Sequence, residues 1–215
     1  MGVAERREKE REQRRSAIIE AAKRVFLEVG LEQASMDRIA TESELAKGTL
    51  YLYFKSKNEL IMAIMTEHLE RLNAMLHDIA RSRLSPQNKV LRAVEVFFAY
   101  SSEHHIFYRI MTAVNVREMC QCTPDQAPSR DVERFRALNA ETMSIVHSIF
   151  NEGISKGVFD ANLNVQQVVP LMMVAFKGTM VVIMNGMYPP DMPVPPVSDA
   201  MRALAQLFVR SLERR

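Results

Sequence analysis

Apolar residues recur along this chain at the three-and-four spacing of an α-helix, with no alternating run that would argue for a strand. Ile18, Ala21, Ala22, Val25, Phe26 and Val29 share one face of a predicted first helix, and Gly30 is placed to end it. Residues 35–59 then read as two short helices joined by a tight turn, followed at once by the start of a third. Ser35 is a cap for the first of these, with Asp37 favourably placed in its first turn. On the second, a step of about 100° per residue puts Ala46, Leu50, Tyr53 and Phe54 on one side and Lys47, Gly48, Tyr51 and Leu52 on the other. Ile39 and Ala40 of the preceding helix are the natural floor for the apolar side. Ser56 and Glu59 have capping-box spacing for a long helix striped by Leu60, Ile61, Ile64, Met65, Leu69, Leu72, Leu76 and Ile79.

The pattern continues to the end of the chain. Ser85-Pro86 opens a helix with Val90, Leu91, Val94, Phe97 and Phe98 on its inner face. A further stretch holds Ile106, Phe107, Ile110, Met111 and Val114, and residues 121–129, with Pro124 and Pro128, predict a loop. A long helix from Arg130 to Lys156 should stop at Gly157. Asn164 and Gln167 make another box-like start to a largely apolar run through Met187, which Pro170 should kink or delay. Five prolines between Pro189 and Pro196 mark a stiff connection to a last helix carrying Val197, Met201, Leu204, Leu207, Phe208 and Leu212. The expected fold is all-α.

Charge changes this picture only locally. The chain of 215 residues has a formal charge of +2, and residues 1–57 balance twelve Lys/Arg against ten Asp/Glu. Bulk electrostatics therefore does not point to nucleic acid. Between Leu45 and Lys57, however, there are three basic residues and no acidic one. A helix fits the major groove of B-DNA, where donors near its N-terminus reach base edges, so residues 35–57 read as a helix-turn-helix. Ahead of it, Arg6, Arg7, Lys9, Arg11, Arg14 and Arg15 lie on a charged arm, expected to fray at its start. They are read either as phosphate or minor-groove contacts or as a solvated helix start with Glu5–Lys9 and Glu10–Arg14 pairs.

The run KGTLYLYFKSKNEL, preceded by FLEVGLEQAS, resembles the signature of the tetracycline-repressor (TetR/AcrR) family of bacterial transcriptional regulators, over residues 12–64 or so. Two positions depart from it: Glu44 stands where the family usually has Gly in the turn, and Ala46 where it has Ser or Thr before the lysine. Both read as stability costs. The resemblance implies a three-helix DNA-binding head over residues 1–57 and a helical ligand-binding and dimerisation domain over 58–215. Lys47, Gly48, Thr49 and Tyr51 are then the expected base and near-base contacts on a double-stranded operator, and Ser35, Tyr53 and Lys57 the phosphate contacts. The last two helices would pair two subunits in a homodimer. A small apolar or aromatic effector is expected among Tyr100, Phe107, Met111, Met143, Phe150, Met173, Phe176 and Met180, where flexible thioethers fill an adaptable pocket or merely a core. The expected function is a ligand-released repressor, with an activator or a helical carrier with a vestigial head as alternatives.

Other chemistry is thinly represented. No nucleophile–base motif, phosphate-cradling glycine loop or zinc-protease spacing occurs, so neither an enzyme nor a cofactor is expected. His104 and His105 point about 100° apart on a helix, poor geometry for one ion. Cys120 and Cys122 are too close for an ordinary structural bridge, and a reducing cytoplasm is the natural reading, with oxidant sensing as the alternative. The apolar run from Val168 to Tyr188 has the length of a membrane span, but Lys177 near its middle argues for a buried helix and no membrane.

Overall fold

The apolar stripes become nine helices among the described residues, which in this computed structural model are 2–114 and 129–213. They are α1 (Val3–Gln33), α2 (Met36–Glu42), α3 (Lys47–Tyr53), α4 (Lys57–Arg81), α5 (Pro86–Glu103), α6 (His105–Ala113), α7 (Arg130–Ser155), α8 (Val165–Met184) and α9 (Val197–Leu212). Among the described residues there is no strand; an isolated bridge pairs Phe159 with Glu213. The fold is all-α, a helix-turn-helix head followed by further helices. Cys120, Cys122 and most of the loop expected over 121–129 lie outside the described residues.

The chain forms two compact units. One holds residues 2–68 with the described part of 104–137; the other holds Leu69–Glu103 and Leu138 onward. In the first, α1 packs on α2 and α6, and α2 on α3. Its interior is built from Ile18, Ala21, Ala22, Val25 and Phe26 of α1, Ile39 and Ala40 of α2, Leu50, and Leu60 with Ile64 of α4, all buried. The charged arm is helical from Val3 and forms the first turns of α1. Its Glu, Arg, Lys and Gln residues are good helix formers, and the Glu5 carboxylate accepts from Gly2 N at 2.8 Å. The pairs formed there are Arg6–Glu10 and Glu12–Arg15. Arg15 itself turns inward, onto the Phe54 ring at 5.0 Å and the Asp131 carboxylate. Asp131 is nonetheless pushed above the usual carboxylate range, because its burial outweighs the neighbouring guanidinium.

Gly30 breaks α1, with φ 85° and ψ 164°. The carbonyls left over at that break are met by two cations. Arg109 of α6 donates to Leu27 O at 2.8 Å, and Lys57 of α4 donates to Leu31, Ala34 and Glu32 O at 2.7, 3.1 and 3.3 Å.

In the second unit α9 packs on α5 and α8. Val165, Val169, Met172, Phe176 and Met180 form the buried stripe of α8, and Met201, Ala205, Val209 and Leu212 that of α9. Pro170 does not delay α8, which begins five residues earlier; Asn164 caps it through its backbone, without the side-chain bond the box-like spacing suggested. By length and composition α8 is apolar enough to cross a membrane, with mean hydropathy 1.7. Its outward side keeps Leu171 at 64 % and Val174 at 70 % exposure, with Leu207 of α9 at 63 %. Elsewhere in this unit Asn73 donates to Leu138 O at 3.0 Å and accepts from Thr142 at 2.7 Å. Phe159 stacks on Phe150 at 5.6 Å.

The α2–α3 turn is closed as expected, by a left-handed residue. Glu44 has φ 54°, Leu45 N reaches Ala40 O at 2.9 Å, and Glu44 N reaches Thr41 O at 3.0 Å. This is a Schellman ending with a side chain where glycine is unstrained. Glu44→Gly should therefore stabilise the free protein by about 0.5–1 kcal/mol. A melting temperature unchanged or lowered by that substitution would show the turn to be unstrained.

Candidate nucleic-acid interface

The head's reading element is the seven-residue helix α3. Leu50 and Phe54 are fully buried, Tyr53 is half-buried, and Ala46 is exposed because it is the N-cap residue, with no side-chain bond to the helix it starts. The opposite arc carries Lys47, Gly48 and Leu52, all exposed, and Tyr51, half-buried. The sequence therefore placed the two faces of α3 correctly save for its cap.

The charges on this surface are mostly paired. Lys47 Nζ lies 2.7 and 3.0 Å from the two oxygens of Asp37, and that hydrogen bond holds the ammonium above its ordinary pKa. Arg38 bonds Glu28 at 2.9 Å, and Arg24 bonds Glu42 at 2.6 Å. The ten-residue separation of Lys47 from Asp37 hid their contact from periodicity, since it needs the turn between α2 and α3 to fold back.

Ser35 caps α2 by accepting from Arg38 N at 3.2 Å, which leaves its hydroxyl proton available to a phosphate. Thr49 is half-buried in the first turn of α3. Lys57 sits differently from the expectation of a free phosphate donor: its ammonium spends its protons on three carbonyls at the end of α1, those of Leu31, Glu32 and the cap residue Ala34. The start of α4 is held by Ser56, which accepts from Glu59 N at 3.3 Å, and by Glu59, which accepts from Lys55 N at 2.7 Å. The carboxylate thus reaches one residue further back than a standard capping box. Lys55 Nζ donates to Tyr51 O at 3.1 Å, a contact unforeseen from sequence.

The eight residues expected around an effector are divided between the two units. Phe107, buried, and Met111, half-buried, belong to the first unit. Tyr100, Phe150, Phe176 and Met180 are buried in the second, Met143 is half-buried there, and Met173 is 42 % exposed on the outward side of α8. Met173 misses the interior because Met172 and Phe176 occupy the inward positions either side of it. A cleft of about 280 Å³ opens instead between α5 and α9, with Leu91, Phe98 and Met201 on its walls and Arg92, Glu95 and Arg202 among its polar lining; none of the eight lines it. Among the described residues no cluster of His, Cys, Asp and Glu has the makings of a metal site.

Residues 18–64 match the family model described as bacterial regulatory proteins, tetR family. The HTH-type transcriptional activator FasR of Mycolicibacterium smegmatis is 32 % identical over 101 residues, an alignment spanning 47 % of this chain and about half (46 %) of that protein. The fatty acid metabolism regulator protein of Bacillus subtilis is 24 % identical over 69 % of this chain and 72 % of its own. In fold, the chain is similar to the solved transcriptional regulator FadR from Bacillus subtilis in complex with stearoyl-CoA. The TM-score is 0.70 at 19 % identity, covering 92 % of this chain and 99 % of that one.

Proposed function

We propose that this chain, whose residues 18–64 match the tetR family model, is a regulator of transcription that works as a homodimeric, cytoplasmic repressor, released from a twofold-symmetric operator by an apolar effector. The observation that carries the reading is the two-sided α3: hydrocarbon packed inward at Leu50 and Phe54, and Lys47, Gly48 and Tyr51 turned out. Residues 1–57 are the reading head and residues 58–215 the sensing and pairing part. Lys47, Gly48, Thr49 and Tyr51 meet the bases and their surroundings; Ser35, Tyr53 and Lys57 meet phosphates. The outward sides of α8 and α9, where Leu171, Val174 and Leu207 stay exposed, pair with a second copy. That pairing fixes the distance between two recognition helices at about one duplex turn.

The effector reading starts from buried Tyr100, Phe150, Phe176 and Met180. A cavity among them opens as ligand enters, and Met180 adapts to it. The named ligand of the fold neighbour, stearoyl-CoA, makes long-chain acyl thioesters the first class to test. Gel shifts on the upstream region of the protein's own gene, with and without acyl-CoA, decide the reading. Sequence-preferring binding that the thioester abolishes is the expected result, and sequence-blind, salt-labile binding would refute it. An activator is the second reading, favoured by the name of the FasR relative; reporter expression in a deletion strain separates the two.

Two substitutions probe the head. Tyr51→Ala should cost about 1–3 kcal/mol of operator affinity and relax base preference; unchanged affinity removes Tyr51 from the contacts. Lys57→Ala should lower the melting temperature of the free protein and flatten the salt slope of DNA binding by about one unit. The same cation serves the end of α1 and, on release, a phosphate. A lowered melting temperature with an unaltered slope would leave only the first role.

A further inference from the structure

Leu52 is 72 % exposed, more than Val174 or Leu171 on the outward side of α8. Its exposure is not a packing accident of a loop, for it lies in the second turn of α3. Lys47, Tyr51, Gly48 and Leu52 fall within an arc of about 140° on that helix. Leu50 and Phe54 already supply the hydrocarbon that the head's interior takes from α3. An outward leucine therefore adds nothing to the fold.

Two neighbours say what it faces. Gly48 has an ordinary φ, and a Cβ built there would meet nothing within 4 Å. Glycine is a poor helix former, so its presence at an unobstructed helical position is not explained by the free protein. A bare backbone one turn ahead of Leu52 lets the helix settle close to whatever it docks on, close enough for a short branched side chain to touch. Lys47, the remaining long side chain on the arc, has its ammonium on Asp37. The second turn therefore presents chiefly hydrocarbon and a phenol. Base edges in the major groove offer donors and acceptors at every pair, and a single kind of apolar group, the 5-methyl of thymine.

We infer that Leu52 is a specificity-determining residue that seats against a thymine methyl in each half-site of the operator. This rests on the operator reading above, and the test keeps the two apart. Wild-type protein is used to select duplexes from a random pool, and each thymine of the selected site is then replaced singly by uracil, which removes the methyl and nothing else. One thymine per half-site should lose about fourfold in affinity, and the double replacement about fifteenfold, the value of one buried methyl at each. Leu52→Ala, an exposed change that leaves the core untouched, should bind the thymine and uracil duplexes equally while still preferring the selected site. If uracil is tolerated at every position by the wild type, or if Leu52→Ala keeps the same discrimination, the inference is overturned. If selection yields no preferred sequence at all, the operator reading fails first.

Discussion

Val174→Glu and Leu207→Glu should each give a folded monomer that no longer holds its operator. Both residues lie outward on the last two helices, and on the proposed pairing each carboxylate would be buried between the two copies. A buried, unpaired charge costs about 3–5 kcal/mol, and twofold symmetry imposes it twice, so dimer dissociation should rise by several powers of ten. Helical content and melting of the single subunit should change little, because neither side chain is part of its interior. Sedimentation velocity at micromolar concentration is the measurement. A dimer that survives both substitutions would move the pairing surface elsewhere, and with it the account of how two heads are spaced.

Lys89→Ala should destabilise the second compact unit by about 3 kcal/mol. This lysine is 3 % exposed, and its ammonium donates to Ala80 O at the end of α4 and to Glu152 of α7, both at 2.7 Å. Truncation leaves a part-buried carbonyl without a donor and a void where the stem lay. Glu152 keeps Lys156 at 2.6 Å, which holds the loss below that of a fully orphaned charge. Urea unfolding followed by circular dichroism reads it, and a loss below about 1 kcal/mol would mean that water replaces the ammonium. The same pair sets an acid limit. Hydrogen bonds from Lys156 and then Lys89 hold the Glu152 carboxyl below its ordinary value of 4.5. Its contribution is thus complete above that value and is lost as pH falls through the lower folded one. Removing Lys89 should make stability fall less steeply on the acid side.

The head was legible because its signals are local. A glycine breaking α1, a serine cap at 35 and a two-sided α3 are all decided within a turn or two of sequence. The strained Glu44 was legible for the same reason, as a side chain at a place where the backbone must turn left-handed. Contacts that depend on tertiary approach were not: Arg15 on Phe54 and Asp131, Lys47 on Asp37, and Lys57 on the end of α1 join residues that no periodicity relates. The effector residues were least legible. Tyr100 and Phe150 prove to be interior, but the same three-and-four spacing that buries Met172 turns Met173 to the outside. Hydrocarbon lining a cavity and hydrocarbon filling a core have one pattern.

The pairing of basic side chains across the head has a consequence for selectivity in the cell. A cation that arrives with its own carboxylate already close displaces few of the small ions that sheathe a duplex, so contact with arbitrary sequence releases little entropy. Lys47 with Asp37, Arg38 with Glu28 and Arg24 with Glu42 all carry such escorts. A head made this way should hold arbitrary duplex weakly, which matters where competing sites outnumber the true one by about a millionfold. Tight binding is then reserved for a stretch whose shape makes exchanging those escorts worthwhile.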